Sequence, residues 1–497
     1  MSKFKVLFIY PNTMMATLIP LGLTQLAGVL KEKGIDTRLF DTTFYKTEDK
    51  SFEERRVELL QIKPFDLSEA GIHYKENDIV DDLRQVVNVY KPDLIGVTFV
   101  EDTVDLGLKL LKGISDFNIP VVAGGVHVTL YPDEMLKHED IDIICVGEGE
   151  GAMAQLCSKL KSNDDIKNIK NIWVKDNVQV YKNSMRPLVD INKNPILDFS
   201  IWEKKRLLRP MYGKNYTMLH VEVERGCPFQ CTYCGAPALR KLYQKEGYSN
   251  YYRRKDYQRV IEEIECYTSQ FKVDYIYFNA ESFLSFPEKE FVKFADTYRS
   301  RIGLPFWCQS RVENVTGGKL SLLKAMGCAS MQFGIESGNE DLRRKVLLRN
   351  HSNERIVNAL CAVERHGIAY TVNNIIGFPK ETRKDIFDTI FINRKINPRT
   401  INCFMFTPYK GTELYDYCIQ EGHLDKSAKT KQSLDGCLMK NTVLSKEELK
   451  GLQRVFPLYC RFPESRFDEI RAAEKFSKEG NDIFKSLSRE YQDKYFN

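Results

Sequence analysis

Three cysteines stand together in Cys227-Pro228-Phe229-Gln230-Cys231-Thr232-Tyr233-Cys234, a C-x3-C-x2-C spacing. Thiolates this close can wrap one compact centre, and soft sulfur ligands select an iron–sulfur cluster or zinc. A structural zinc ion asks for four protein ligands, commonly with a second Cys or His pair at short spacing. Here Cys266, Cys308 and Cys328 follow singly, in an expected helix, strand and loop. The spacing favours a cubane held by three cysteines, with zinc as the alternative. Such a cluster leaves one iron without a protein ligand, an open position like that of a catalytic zinc site.

The loop follows a predicted strand, 218–224, that opens a βα series: strands 274–279, 306–310, 330–335, 370–377 and 400–406, with helices at 255–268, 289–301, 320–326, 352–366 and 382–395 between them. Six strands in this order suggest a partial barrel. Upstream, apolar runs at 6–10, 37–40, 94–99, 121–124 and 141–146 alternate with longer helical patterns. That alternation indicates a parallel sheet covered on both faces, binding ligands beyond the carboxyl ends of its strands. The turns there read Tyr10-Pro11-Asn12-Thr13, Thr98-Phe99-Val100-Glu101-Asp102, Gly124-Gly125-Val126-His127 and Gly147-Glu148-Gly149-Glu150. Such turns allow close backbone approach to a ligand. Residues 44–77 read as a helical insertion in the first domain and 172–181 as hairpin strands. Beyond about residue 440 the pattern is helical, starting at Ser445-Lys446-Glu447-Glu448 and broken at Pro457 and Pro463. The fold class is α/β: a Rossmann-like, flavodoxin-like domain (1–185), a linker (186–212), a partial (βα)6 barrel (213–415) and a small α-helical C-terminal region (416–497).

The chain's 497 residues allow about two to four domains. Hydrophobic residues at 43% and charged residues at 28% exclude disordered, collagenous and fibrous classes. A net charge of +5 is too small to imply a nucleic-acid or membrane partner. Thirteen cysteines, odd in number and mostly scattered, suggest a reducing compartment. The uncharged stretch 6–30 is interrupted by Pro11, Asn12, Thr13, Pro20 and Gln25, so it reads as strand, loop and helix of a cytoplasmic protein. Five tyrosines (243, 248, 251, 252, 257) interleave with Lys and Arg; they could stack on nucleic acid, but a solvated loop leading into a helix is the favoured reading. Residues 461–467 read as a helix-to-helix turn rather than a lid over substrate.

These motifs resemble the radical SAM enzymes, whose C-x3-C-x2-C loop after the first strand of a partial barrel holds a [4Fe-4S] cluster with S-adenosylmethionine on the fourth iron. The resemblance makes Cys227, Cys231 and Cys234 the metal ligands. Phe278-Asn279-Ala280-Glu281 sits where the family has its second-strand acidic motif, with Ala280 in place of the usual Asp, so Glu281 would hold the amino group of S-adenosylmethionine. Gln309-Ser310-Arg311, Gly334-Ile335-Glu336-Ser337-Gly338 and Asn374-Ile375-Ile376-Gly377-Phe378-Pro379 look like the later strand ends that hold carboxylate, ribose and adenine. They contribute Arg311, Glu336, Ser337, Ile376 and Gly377. Singly, each charged residue could be an ordinary surface ion-pair partner; order and spacing together carry the resemblance.

The first domain is similar to the cobalamin-binding module fused to one branch of that family. Residues 124–134 and Gly147-Glu148-Gly149-Glu150 match the loops around the corrin and its nucleotide tail. The implied binding residues are Asn12, Thr98, Glu101, Gly124, Gly125, His127, Thr129, Gly147, Glu148 and Gly149. Many such modules place a His below cobalt through D-x-H-x-x-G, but none of the seven His here has Asp two positions before it. The lower cobalt face is therefore expected to lack a His, with Val100 and Glu101 as candidates for that space. The resemblance spans residues 5 to about 414 and implies an enzyme that methylates a poorly activated carbon, the corrin facing the barrel mouth with substrate between. A 5′-deoxyadenosyl radical would remove hydrogen and methylcobalamin would supply the methyl group. Ring formation, ring contraction or oxidation without methyl transfer is the alternative, and a corrinoid-binding carrier or sensor a further one. Also implied are a small-molecule or lipid substrate, an electron donor such as flavodoxin or ferredoxin, no nucleic acid and no stable membrane insertion.

Overall fold

The computed structural model describes residues 3–14, 18–176, 178–428, 434, 436–440 and 442–496. Contacts group the chain into two units that interleave in sequence. The first comprises Met1–Phe52, Leu67–Leu208 and Gly235–Arg253; the second comprises Glu53–Asp66, Arg209–Cys234 and Arg254–Asn497.

In the first unit, β1 (Lys5–Tyr10), β2 (Asp36–Asp41), β3 (Leu94–Thr98), β4 (Val121–Gly124) and β5 (Ile143–Cys145) are the five expected strands. They run parallel in the order β2-β1-β3-β4-β5. Val6 to Ile9 and Leu94 to Val97 are buried without alternation, as in a parallel sheet packed on both faces. An antiparallel hairpin of β6 (Ile172–Lys175) and β7 (Val180–Lys182) extends the β5 edge. The strand order reverses between β1 and β3, which opens a crevice at the carboxyl ends. The uncharged stretch 6–30 folds into β1 and part of helix Leu21–Glu32. Among the described residues no helix is long and apolar enough to cross a membrane.

The second unit starts with β8 (Leu208–Met211), whose first residue still groups with the first unit, and β9 (Lys214–Glu222). Two-residue strands β10 (Glu224–Arg225) and β11 (Arg253–Arg254) follow, then β12 (Tyr275–Asn279), β13 (Phe306–Ser310), β14 (Cys328–Glu336), β15 (Ala369–Ile376) and β16 (Thr400–Met405). β9 and β12 to β16 are the six expected barrel strands, paired in parallel and in sequence order. The sheet stays open, ending at β16 on one side and at β8 on the other. β8 was not anticipated and begins inside the expected linker; Tyr212 and Gly213, both at positive φ, make the tight turn into β9. On the helix side of β12 and β13, Phe278 packs against Phe294 and Tyr298 of helix Glu288–Arg301 and against Phe306. By strand alternation, Asn279 and Gln309 fall on the opposite face, inside the barrel.

Three expectations need correction. Residues 44–77 are not mainly helical: they hold helix Phe52–Glu58 and one short turn, and Glu53–Asp66 groups with the second unit. There Gln61 Nε2 donates to the Cys403 carbonyl at 2.8 Å and Arg56 to Asn402 Oδ1 at 3.1 Å. Tyr243 and Tyr251 do not lie in a solvated loop or on a nucleic-acid surface. They are buried at 2% and 7% exposure, stacked 5.4 Å apart in the first unit's core. Pro457 does not break the C-terminal pattern but lies inside helix Lys446–Arg461, whose residues 451–460 are all buried. Packing on both sides offsets the lost hydrogen bond. Its capping box of Ser445 and Glu448 and the break at Pro463 are as read, with residues 461–467 turning from this helix into Phe467–Ala473.

Candidate functional site

The cysteine loop leaves the carboxyl end of the first barrel strand. Its middle is pinned: Thr232 Oγ1 donates to the Val346 carbonyl at 2.6 Å, and the Thr232 carbonyl accepts from Leu414 N at 2.9 Å. Tyr233 OH accepts from Arg349, which also donates to the Gly334 carbonyl and pairs with Glu336 at 3.2 Å. Below, buried Lys255 lies 2.9 Å from Glu263 and 3.5 Å from Glu222, which also pairs with Arg225. Cys231 is buried; Cys227 and Cys234 are half-buried, and none of the three is in a disulfide. Burial pushes the Cys227 thiol up to about 12, and the charges of Glu281, Cys234 and Cys231 add to it, so these groups are neighbours. Metal binding would reverse that shift, because a ligating thiol is deprotonated.

The donor set fits a cubane. Three thiols come from one braced loop, and a cluster spreads them over different irons. Among the described residues no group of three or more His, Cys, Asp or Glu side chains is already gathered around a metal-ion position.

Around the loop the resemblance-derived residues take different positions. Glu281 follows β12; its side chain is solvent-accessible, has neither a hydrogen bond nor an ion pair among the described residues, and is pushed above the usual carboxylate range by desolvation. A desolvated carboxyl without a partner suits a cationic group. Arg311 instead turns to the loop itself, with Nη1 at 3.0 Å from Cys231 Sγ. Glu336, at φ +66°, folds back over Gly334 onto Arg349, and the fully buried Ser337 accepts from Asn339 N. Ile376 is fully buried at the end of β15. At the next residue the Gly377 N–H donates to Glu381 Oε2 at 2.5 Å, as does Phe378 N at 3.2 Å. Burial pushes Glu381 up to about 8 against those two hydrogen bonds.

Inside the barrel, Asn279, Gln309 and Gln332 lie on three adjacent strands, Gln309 opposite Gln332 in register. All three amides are half-buried and make no side-chain hydrogen bond among the described residues. Gln332 drew no attention in the sequence; the signal was its place in an alternating strand, between Met331 and Phe333, both fully buried.

In the first unit, Thr98, Glu101, Gly124 and Gly125 meet at the carboxyl edge of β3 and β4. A Cβ on Gly124 would meet nothing closer than Cys145 Cβ at 3.8 Å. Gly125, at φ +101°, lies so close to the β3 loop that a Cβ would sit 2.6 Å from Phe99 O. Val100 and Val126 are exposed at 45% and 47%, an unusual placement for β-branched apolar residues on the two loops that this contact joins. They give this edge an apolar rim with no His at its surface, since His127 is buried and stacked on Tyr131. Asn12 and Thr129 are also buried, bonded to Thr42 and Thr43 and to Gly147 N respectively. Gly147 and Glu148 face protein: a Cβ on Gly147 would meet Tyr243 OH at 2.6 Å, and the Glu148 carboxylate pairs with Arg253 and accepts from Val189 N. Gly149 packs under Leu26. An open glycine edge bordered by exposed valines fits a large, partly apolar ring such as a corrin.

Comparison with known proteins gives the same two parts. Residues 12–157 match the B12 binding domain and residues 221–391 match the radical SAM superfamily. The chain is 24% identical to an uncharacterized methyltransferase of Pyrococcus horikoshii, over 91% of this chain and 92% of that one. It is 25% identical to the anaerobic magnesium-protoporphyrin IX monomethyl ester cyclase of Rubrivivax gelatinosus, over 78% and 68%. Its fold matches the radical S-adenosylmethionine methyltransferase TsrM from Kitasatospora setae at TM-score 0.68, with 13% identity and 99% of both chains covered. It matches the cobalamin-dependent S-adenosylmethionine radical enzyme OxsB at 0.67, with 14% identity over 99% of this chain and 72% of that one. Its cofactors are accordingly a [4Fe-4S] cluster, S-adenosylmethionine and cobalamin. The chain thus joins a B12 binding domain to a radical SAM domain.

Proposed function

We propose that this enzyme transfers a methyl group to a poorly activated carbon of a small molecule. Together the bound cofactors supply reductive cleavage of S-adenosylmethionine, hydrogen abstraction and a cobalt-borne methyl group. The chain's own residues hold and screen. Cys227, Cys231 and Cys234 fix the cluster by one braced loop. Glu281 would hold the amino group of S-adenosylmethionine, a charge-assisted contact for which it has no competing partner among the described residues. The clamp of Glu381 on Gly377 and Phe378 shapes the strand end beside the nucleoside. Val100 and Val126 keep water from the corrin edge of the first unit. In the barrel the three unbonded amides offer paired donors and acceptors, which suits a neutral polar group of the substrate.

The observation that carries this reading is the partnerless Glu281 carboxyl beside Cys227. Methyl transfer is favoured over cyclisation because the chain spans 92% of the methyltransferase relative and 68% of the cyclase. The experiment is anaerobic turnover of the reconstituted protein with candidate substrates, read by mass spectrometry. A product heavier by one CH2 unit supports methylation. Turnover with 5′-deoxyadenosine formed and no such gain moves the assignment to cyclisation or oxidation. Cobalamin binding without 5′-deoxyadenosine under reducing conditions leaves a corrinoid carrier.

A further inference from the structure

We propose that Arg311, held by Glu313 and His351, tunes the reduction potential of the cluster through its hydrogen bond to the sulfur of Cys231. The resemblance put Arg311 on a carboxylate of the bound nucleoside. The geometry spends it elsewhere. Nη1 donates to Cys231 Sγ at 3.0 Å, while Nε lies 3.1 Å from Glu313 Oε1 and Nη2 donates to the same oxygen. The guanidinium carbon lies over the ring of Phe229, a residue of the cysteine loop, 3.8 Å from its centroid. Arg311 is 7% exposed, and its backbone N–H donates to Ser282 Oγ at 3.3 Å. All three guanidine nitrogens are therefore occupied, one by the loop sulfur and two by one carboxylate oxygen.

Glu313 is held in turn. His351 Nδ1 lies 3.0 Å from Glu313 Oε1, and Arg355 donates to the Glu313 carbonyl at 3.1 Å. Burial raises the Glu313 carboxyl, but the hydrogen bonds from His351 and Arg311 outweigh it and keep the group ionised. Cys231 thus faces a fixed cation through Nη1, while its counter-charge on Glu313 binds the guanidinium through Nε and Nη2.

The sign of the effect follows from electrostatics. Reducing the cluster adds negative charge, which a cation and a hydrogen bond at a ligand sulfur stabilise. Losing Arg311 makes the cluster harder to reduce. Losing the Glu313 charge, with Arg311 retained, makes it easier. A purely structural role would move both variants the same way or not at all. The inference rests on the reading that Cys231 is a cluster ligand. Iron content of the Cys227/Cys231/Cys234→Ala triple variant decides that separately: iron retained there removes the ligand assignment, not the geometry at Arg311.

The test is an EPR-monitored redox titration of full-length protein reconstituted with iron, sulfide and hydroxocobalamin, wild type against Arg311→Gln and Glu313→Gln. A hydrogen bond to a charged group is worth enough for about a tenfold change in the reduced-to-oxidised ratio, about 59 mV for one electron. Arg311→Gln is expected lower by that amount and Glu313→Gln higher, with Arg311→Lys between Arg311→Gln and wild type. Arg311→Gln at or above wild type, or both variants shifted in one direction, overturns the proposal. If Arg311→Gln fails to take up iron, Glu313→Gln decides alone, together with pulsed EPR of wild-type protein carrying isotope-labelled arginine. Arginine-nitrogen coupling to the reduced cluster is expected, and its absence overturns the assignment.

Discussion

Alanine at Gly125 should cost both stability and cobalamin, whereas alanine at Gly124 should cost cobalamin alone. Gly125 sits at φ 101° and ψ 179°, a region open essentially to glycine only. Its added methyl would lie 2.6 Å from Phe99 O and 2.9 Å from Phe99 N, backbone atoms that cannot rotate away. The His127 N–H to Phe99 O bond, 3.2 Å, depends on the same approach. Strain of this kind plus a weakened hydrogen bond amounts to about 2–3 kcal/mol. For a unit of roughly 200 residues that is a fall in Tm of about 4–12 °C. Gly124 has no positive φ, and its nearest obstacle is 3.8 Å away, so alanine there should leave Tm within about 1 °C of wild type. If that open side faces the corrin, a methyl crowds the ligand by about 1–3 kcal/mol, roughly tenfold or more in Kd. The assays are thermal unfolding without cobalamin and a spectroscopic titration with hydroxocobalamin. Equal Tm losses in the two variants would refute the steric argument; unchanged cobalamin affinity in Gly124→Ala would remove this edge as the corrin contact.

Three further outcomes are expected. Glu281→Gln should leave the fold intact, since among the described residues this carboxyl has no hydrogen-bond or ion-pair partner, and on the proposed assignment should weaken S-adenosylmethionine binding to the reconstituted protein about tenfold or more by calorimetry. Glu381, raised to about 8 from an unfolded value near 4.5, binds a proton more tightly when folded. Its contribution is therefore present below about pH 4.5 and lost as pH rises toward 8, by up to about 1.4 kcal/mol per pH unit. Glu381→Gln should flatten that slope in urea unfolding at several pH values. Lys255→Met removes the buried ammonium between Glu263 and Glu222, which keep only Arg259 and Arg225, and should lower unfolding free energy by about 1–3 kcal/mol in denaturant titration, with slower cluster uptake.

Every parallel strand was legible because apolar runs such as Val6 to Tyr10 and Tyr275 to Phe278 carry their own signal, bounded by turn residues. The cysteine loop was legible for a different reason: its chemistry depends on spacing within a few residues. What escaped depends on contacts between distant residues. Phe52–Glu58 is charged except at Phe52 and Val57, and it and the residues after it attach through Arg56 to Asn402 and Gln61 to the Cys403 carbonyl, so no hydrophobic period marks the segment. Tyr243 and Tyr251 sit among Lys and Arg, a composition that reads as surface while the rings turn inward. The role of Arg311 could be assigned either way from sequence, since an arginine at a strand end serves a carboxylate or a thiolate equally well. Only the side chain's direction separates them.

The placement of Gly235–Arg253 in the first unit has a consequence for how the chain comes to be made. The turn at Gly147 is closed by Tyr243, and Glu148 is neutralised by Arg253, so these partners leave the ribosome only after the cysteine loop has emerged. The first unit cannot be finished ahead of that loop, and a fragment stopping at residue 208 would expose an empty socket and a bare carboxylate. No single cut yields either unit whole, because each is built from three stretches of chain and the backbone passes between them five times.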